Sequence, residues 1–126
     1  MAAGSTYTPI QSYTLGSAQA QITFTSIPST YTDLVLVMNG SMSSGSETAR
    51  VRFNGSSSTV YSQTNLAGSG SAVASSRNSN QTSFRLGETY AGLGTTRWTV
   101  ILNILNYSNT ATYKTCLLYT SDAADE

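Results

Sequence analysis

The stretch Ser26–Asn39, SIPSTYTDLVLVMN, decides the fold of this chain. Pro28 fixes its own φ and disfavours a helical conformation at Ile27, so the stretch begins extended. The Ser, Thr and Asp side chains that follow can hydrogen-bond nearby backbone, which favours a turn. Leu34 to Met38 is then an unbroken apolar run. The run predicts a central β-strand covered on both faces, because a strand with one buried face alternates apolar and polar residues.

The composition predicts a single all-β domain. A chain of 126 residues suffices for one two-layer core but not for two independent cores. Its eight tyrosines and many threonines favour strands. One turn of apolar helix is the alternative for Leu34 to Met38, but these five residues are too few and too rich in β-branched side chains for it. Only 10% of the residues are charged, and the basic ones are scattered, so we expect no nucleic-acid partner. There is no apolar run of roughly 18 residues, so we expect no membrane insertion.

The last residues, CLLYTSDAADE at positions 116–126, resemble the translation of a transposase-type sequencing adapter. This resemblance implies that the tail is not native, that the natural protein continues past Thr115, and that one domain occupies residues 1–115. A genuine strand through residues 117–119, followed by an acidic end, is the alternative. Without the tail, six basic residues stand against three acidic ones, which gives a net charge of +3.

Several shorter segments carry strand patterns. Tyr7 to Leu15 predicts a strand that Pro9 confines to a sheet edge or to the strand's start. From Gln19 to Phe24 apolar and polar residues alternate, which predicts a half-buried strand. Arg50 to Asn54 predicts a strand that ends at the Asn54-Gly55 turn signal. The two arginines of that strand predict a solvated face, and a binding patch is the alternative.

The second half of the chain begins with a long polar segment. Residues 56–83 are poor in apolar side chains, which predicts a long loop that is either functional or partly disordered. Thr82 to Leu86 predicts a short strand in which Ser83 and Arg85 face outward.

A second strong apolar run follows, from Arg97 to Leu105. It predicts a strand with Trp98 in the core, and it ends at the turn residues Asn106 to Asn109. Ala111 to Thr115 predicts the start of one more strand. About seven short strands joined by polar turns predict an antiparallel β-sandwich.

The sequence offers no constellation of residues for catalysis. It has no histidine and a single cysteine, in the tail, so Ser-His, Cys-His and zinc sites cannot be assembled. The three acidic residues outside the tail are scattered and do not predict a pair of catalytic carboxylates. The glycine pairs at 68–70 and 92–94 lack the following helix and the Lys-Ser/Thr pair of a phosphate loop. We therefore expect no enzyme activity, no metal and no cofactor.

Four stretches in order resemble a family of tailed-bacteriophage virion proteins, usually described as tail or structural proteins. They are TLGSAQAQITFTSIPSTYTDLVLVMN, RVRFNG with the following YSQTNL, SSRNSNQTSF, and ILNYSNTATYKT. The resemblance covers roughly Tyr13 to Thr115. It implies a jelly-roll-like β-sandwich that is incomplete at its C-terminus here, with the missing strands pairing to edges that are exposed in this chain. It implies no catalytic residues.

Two functions follow as expectations. The first is a virion structural protein, made in the host bacterial cytoplasm, tail- or fibre-associated, which forms a homo-oligomer and binds other virion proteins. The second is a carbohydrate-binding β-sandwich that contacts glycans on the host surface, because aromatic rings can stack on sugars. The possible glycan contacts are Tyr61, Tyr90, Arg77 and Asn78.

Overall fold

A computed structural model describes residues 7–44, 48–68, 71–86 and 95–122. Its strands are β1 Leu34–Gly40, β2 Arg50–Val51, β3 Tyr61–Gly68, β4 Val73–Gln81, β5 Phe84–Arg85, β6 Trp98–Leu105 and β7 Thr115–Asp122. They form a three-stranded sheet of order β1-β6-β7 and two pairs, β2-β5 and β3-β4. Every pairing is antiparallel, and the described ranges contain no helix. The all-β, antiparallel class is confirmed.

The three-stranded sheet has β6 at its centre. β1 pairs with β6 without interruption, from Leu34 opposite Ile104 to Gly40 opposite Trp98. The two apolar runs of the sequence therefore share one sheet. β1 itself lies at the edge of this sheet among the described residues, so the prediction that it is a central strand is wrong.

The prediction that β1 is covered on both faces is also wrong. Val35 and Val37 are 39% and 56% exposed, while the residues that alternate with them are half-buried. β-branched residues favour strands whether or not they are buried, so valines between leucines do not by themselves indicate two covered faces. Within the three-stranded sheet the fully covered residues lie on β6 instead, where Val100 and Leu102 are both 0% exposed.

The inner face of the sheet packs against the β2-β5 pair. Leu86, which follows β5, is 2% exposed and forms the centre of the core with Val100. The Leu86 amide donates a 3.0 Å hydrogen bond to the carbonyl oxygen of Ala49, which extends the β2-β5 pairing. Partly buried apolar side chains surround this centre: Met38, Met42, Ala49, Val51, Phe84, Trp98 and Leu118. Trp98 is thus confirmed as a core residue, and the jelly-roll order of strands stays a prediction.

The strands of the second layer are shorter than the sequence predicts. β2 ends at Val51 and β5 spans only Phe84–Arg85. Ser83 is 2% exposed, so the prediction that it faces outward is wrong. A two-residue strand is too short to impose the alternation of a longer one, and chain bends at its ends set which side chains are covered.

The turn after β2 is as predicted. Asn54 and Gly55 have φ values of 52° and 67°, and the Ser56 amide donates a 3.0 Å hydrogen bond to the Phe53 carbonyl oxygen. Two consecutive residues at positive φ closed by this bond make a type I′ turn, which Asn-Gly favours.

The polar segment 56–83 is not a long loop. It forms the β3-β4 hairpin, in which β4 takes up one extra residue between the pairs Tyr61–Gln81 and Gln63–Asn78. The ladder depends on backbone groups, which small polar residues supply as well as apolar ones, so low hydrophobicity did not exclude strands here. The bulge contains Asn80, whose φ is 55°.

A buried glutamine attaches this hairpin to the core. Gln63 is 8% exposed, and its side-chain oxygen accepts a 2.8 Å hydrogen bond from the Arg85 amide. Its side-chain nitrogen donates to the Arg85 carbonyl oxygen at 3.3 Å. The Gln63 amide therefore occupies the place of a neighbouring strand beside β5.

Residues 7–31 contain no strand, so the predicted strands Tyr7 to Leu15 and Gln19 to Phe24 are wrong. The two segments nevertheless lie side by side. The Gln11 side chain donates a 2.9 Å hydrogen bond to the Thr25 carbonyl oxygen, and the rings of Tyr13 and Phe24 meet edge to face at 5.2 Å. A strand needs a partner backbone, and the alternating pattern alone does not provide one.

The turn after β6 falls where the sequence places it. Asn106 has a φ of 52°, and the Ala111 amide donates a 2.7 Å hydrogen bond to the Asn109 side chain. β7 then pairs with β6 along eight positions, beginning at Leu105 opposite Thr115. The strand that was the alternative for the tail is therefore present, and the foreign origin of residues 116–126 stays a prediction.

Candidate functional site

The three-stranded sheet presents an apolar outer face. We give this name to the exposed side chains on the side away from the core: Val35, Val37, Ile101, Leu117 and Tyr119. Val37 and Tyr119 are both opposite Ile101, so these three form a row across the sheet. The row spans about 10 Å, since neighbouring strands lie about 4.8 Å apart. Contiguous apolar side chains at a surface are typical of binding interfaces.

Three uncharged polar side chains, those of Asn39, Thr99 and Asn103, share the outer side of the sheet with the apolar face. Asn39 and Thr99 are cross-strand neighbours, and the Thr99 hydroxyl donates a 2.7 Å hydrogen bond to the Asn39 side-chain oxygen. Asn103 lies between Val35 and Leu117 in the second row. These described side chains carry no charge, so this face can lose its water at little electrostatic cost.

The outer face continues to an open edge, by which we mean the side of β1 that is not paired with β6. Among the described residues no strand lies on that side. A free edge offers a row of unpaired backbone donors and acceptors to another chain. The outer face and the open edge together form the candidate site, in which apolar side chains adjoin unpaired backbone groups, as they do in many protein-binding surfaces.

Tyr61, a predicted glycan contact, is engaged in the fold. Its hydroxyl accepts a 3.0 Å hydrogen bond from the Phe53 amide and donates one of 3.1 Å to the Ser56 carbonyl oxygen. Its ring stacks on Phe53 with centroids 6.4 Å apart. Tyr61 therefore braces the Asn54–Gly55 turn.

The other predicted glycan contacts are placed as follows. Arg77 is exposed on β4 opposite Thr64, and Asn78 is half-buried opposite Gln63. Both lie in a strand, so the prediction of a loop at 77–81 is wrong. Tyr90 lies outside the described residues. The structure thus places Tyr61, Arg77 and Asn78 on one hairpin, with the Tyr61 ring at its β3 start.

The described ranges hold no group of three or more His, Cys, Asp or Glu side chains that could bind a metal. No helix in those ranges is long and apolar enough to cross a membrane. Burial raises the pKa of the Cys116 thiol by desolvating its charged form. A cysteine with a raised pKa is a poor nucleophile at neutral pH.

The sequence contained a signal for the outer face that did not suffice to predict it. Val35 and Val37 share one parity on β1, and Ile101 is apolar among the outward-facing positions of β6, between Thr99 and Asn103. Only the register, with Val37 opposite Ile101, shows that these residues adjoin. Pairing between distant segments is not readable from the pattern of either segment alone.

Comparisons with protein-family models, with curated proteins and with solved structures found no match to this chain.

Proposed function

We propose that this chain is a bacteriophage virion structural protein, tail- or fibre-associated, which works through protein–protein interfaces. The outer face is the observation that carries the proposal. On this face Val37, Ile101 and Tyr119 form one exposed row across three hydrogen-bonded strands. A row of this kind is stabilising only when another surface covers it.

The surroundings of this face support assembly. The described polar side chains on the outer face are uncharged, and the Asn39–Thr99 pair is already hydrogen-bonded. A partner that covers this face therefore leaves no charge buried without a counter-charge. The resemblance of Tyr13 to Thr115 to tail and structural proteins supports a partner within a virion: other virion proteins and further copies of this chain. On this proposal the chain is made in the host bacterial cytoplasm and works in the particle.

The carbohydrate-binding alternative gains no support from the hairpin. The Tyr61 hydroxyl and one face of its ring are used by the turn, so they are not free to hold a sugar. Arg77 is exposed, but a single exposed arginine is more often a solvated side chain than a ligand contact.

Gene order on the parent sequence tests the proposal. Portal, tape-measure or baseplate genes beside this one are the expected result, whereas a polysaccharide-utilisation cluster would contradict it. A glycan array with the full chain tests the alternative, for which Arg77→Ala and Tyr90→Ala are the informative variants. Specific binding that either variant abolishes would favour the carbohydrate function.

A further inference from the structure

We propose that residues 19–25 of one copy add as a β-strand to the open edge of β1 in a second copy, and that Ser26 is the hinge of this exchange. We call residues 19–25 the arm. This inference rests on the proposed function, in which the chain assembles with other proteins. The partner in this case is a second copy of the same chain. When each of two copies adds its arm to the other, both open edges are occupied, and the result is a closed dimer with two-fold symmetry.

The arm has the sequence of a strand but no strand partner. Ala20, Ile22 and Phe24 alternate with polar residues, and Ile22 is 45% exposed. Among the described residues the arm makes no backbone–backbone hydrogen bond. A segment that favours the strand conformation but has no backbone hydrogen bonds can pair with a strand edge whose backbone groups are also unpaired.

The open edge is suited to receive it. β1 is a regular seven-residue strand, LVLVMNG, paired with β6 at every position without a register shift. It contains no lysine, no proline, no charged residue and no bulge, the features that protect natural edges from a further strand. The arm is uncharged as well, so pairing them buries no unpaired charge.

Ser26 has the geometry of a strained hinge. Its φ is 56°, and the other non-glycine residues at positive φ in the part of the chain that the structure describes are Asn54, Asn80 and Asn106. Asparagine tolerates this left-handed region, and serine does so less readily. A strained residue beside a short connection is a known route to exchange of an element between copies. Opening the hinge releases the strain.

The chain beyond the hinge is fixed to the sheet. The Thr32 carbonyl oxygen accepts a 2.9 Å hydrogen bond from the Tyr107 amide, and the Asp33 carboxylate accepts one of 2.7 Å from the Asn106 amide. The contacts that join the arm to the preceding segment among the described residues are the exposed Gln11–Thr25 hydrogen bond and the edge-to-face rings of Tyr13 and Phe24. In the folded single chain the arm does not pair with its own β1, so that edge remains open to the arm of another copy.

Substitutions at the hinge test the exchange in the full chain. Ser26→Gly removes the cost of positive φ and favours the bent arm, so the dimer should weaken by about tenfold for each arm. Ser26→Val makes positive φ more costly and favours the extended arm, so the dimer should tighten. Sedimentation across the soluble concentration range gives the two dissociation constants. Equal constants for the two variants, or monomers throughout, would overturn the proposal.

The location of the contact needs a second measurement. In the dimer, hydrogen exchange should slow together in the arm and in β1. The double variant Ile22→Pro/Thr23→Pro removes two adjacent backbone donors, one of which must face the edge, and it should abolish the dimer while leaving the monomer folded. The proposal is wrong if the dimer persists in this double variant, or if the arm of the dimer shows no protection from hydrogen exchange. Neither result bears on gene order, so the two proposals fail separately.

Discussion

At Asn54 and Gly55 the backbone conformation of the turn determines which residue types are favoured. Both have positive φ, 52° and 67°, and no atom outside their neighbours lies within 4 Å of a Cβ built on Gly55. The conformation, and not a lack of space, is therefore what favours glycine at position 55.

Gly55→Ala should lower the free energy of unfolding by about 1 kcal/mol, because alanine is strained at this φ. Gly40→Ala is the matched control. A Cβ at Gly40 would lie 3.6 Å from the Trp98 ring, an ordinary contact, and its φ is not in the left-handed region. Urea unfolding of both variants checks this. Equal losses at the two positions would show that the turn conformation does not determine the cost.

At the scale of the elements, Gln63 is the link between the β3-β4 hairpin and β5. The side-chain amide of Gln63 has both donor and acceptor groups, and it uses one of each on the backbone of Arg85. Its nitrogen also donates a 2.8 Å hydrogen bond to the Asn65 side-chain oxygen. The two bonds to Arg85 substitute for a strand-to-strand ladder where β3 and β5 are not paired in a common sheet.

Gln63→Leu should destabilise the chain by about 1–3 kcal/mol, because it leaves the Arg85 amide and carbonyl without partners in a buried place. Gln81→Leu serves as the control, since among the described residues the Gln81 side chain bonds the Ser79 carbonyl two positions away, in an exposed contact. Hydrogen exchange should show faster loss of protection in β5 for the Gln63 variant alone. Unchanged exchange at Arg85 would contradict the role assigned to Gln63.

The elements that could be predicted from sequence are those with a strong local cause. The two apolar runs correctly predicted strands at β1 and β6, and Asn54–Gly55 correctly predicted a turn. Each of these features depends on residues that are close together in the sequence. The β3-β4 hairpin was missed because its backbone pairs under small polar side chains that show no periodicity. The two strands predicted before Ser26 are absent for the opposite reason. Their alternating pattern is present in the sequence, but among the described residues no neighbouring strand pairs with them.

For the whole molecule, the core and the outer face lie on opposite sides of one three-stranded sheet. Val100 and Leu102 are fully covered, while Val37 and Ile101 are 56% and 39% exposed. The candidate site could not be predicted, because it depends on the register between β1, β6 and β7.

Val37→Thr should change the free energy of unfolding of the isolated chain by less than about 0.5 kcal/mol, since the side chain is exposed. Leu102→Ala should cost about 2–5 kcal/mol, because it leaves a cavity in the core. Denaturant unfolding at low protein concentration compares the two. A loss for Val37→Thr as large as that for Leu102→Ala would mean that the outer face is covered within the single chain.

Mass spectrometry of purified particles is the sharpest test of the proposal that this chain is built into a virus particle. Trypsin cleaves after Arg97 and Lys114, so residues 98–114 form one characteristic peptide. We expect this peptide to sediment with intact particles from the viral fraction that carries the coding sequence, and to remain after a high-salt wash. Its presence in the host-cell fraction together with its absence from the particles would rule out a place in the virion.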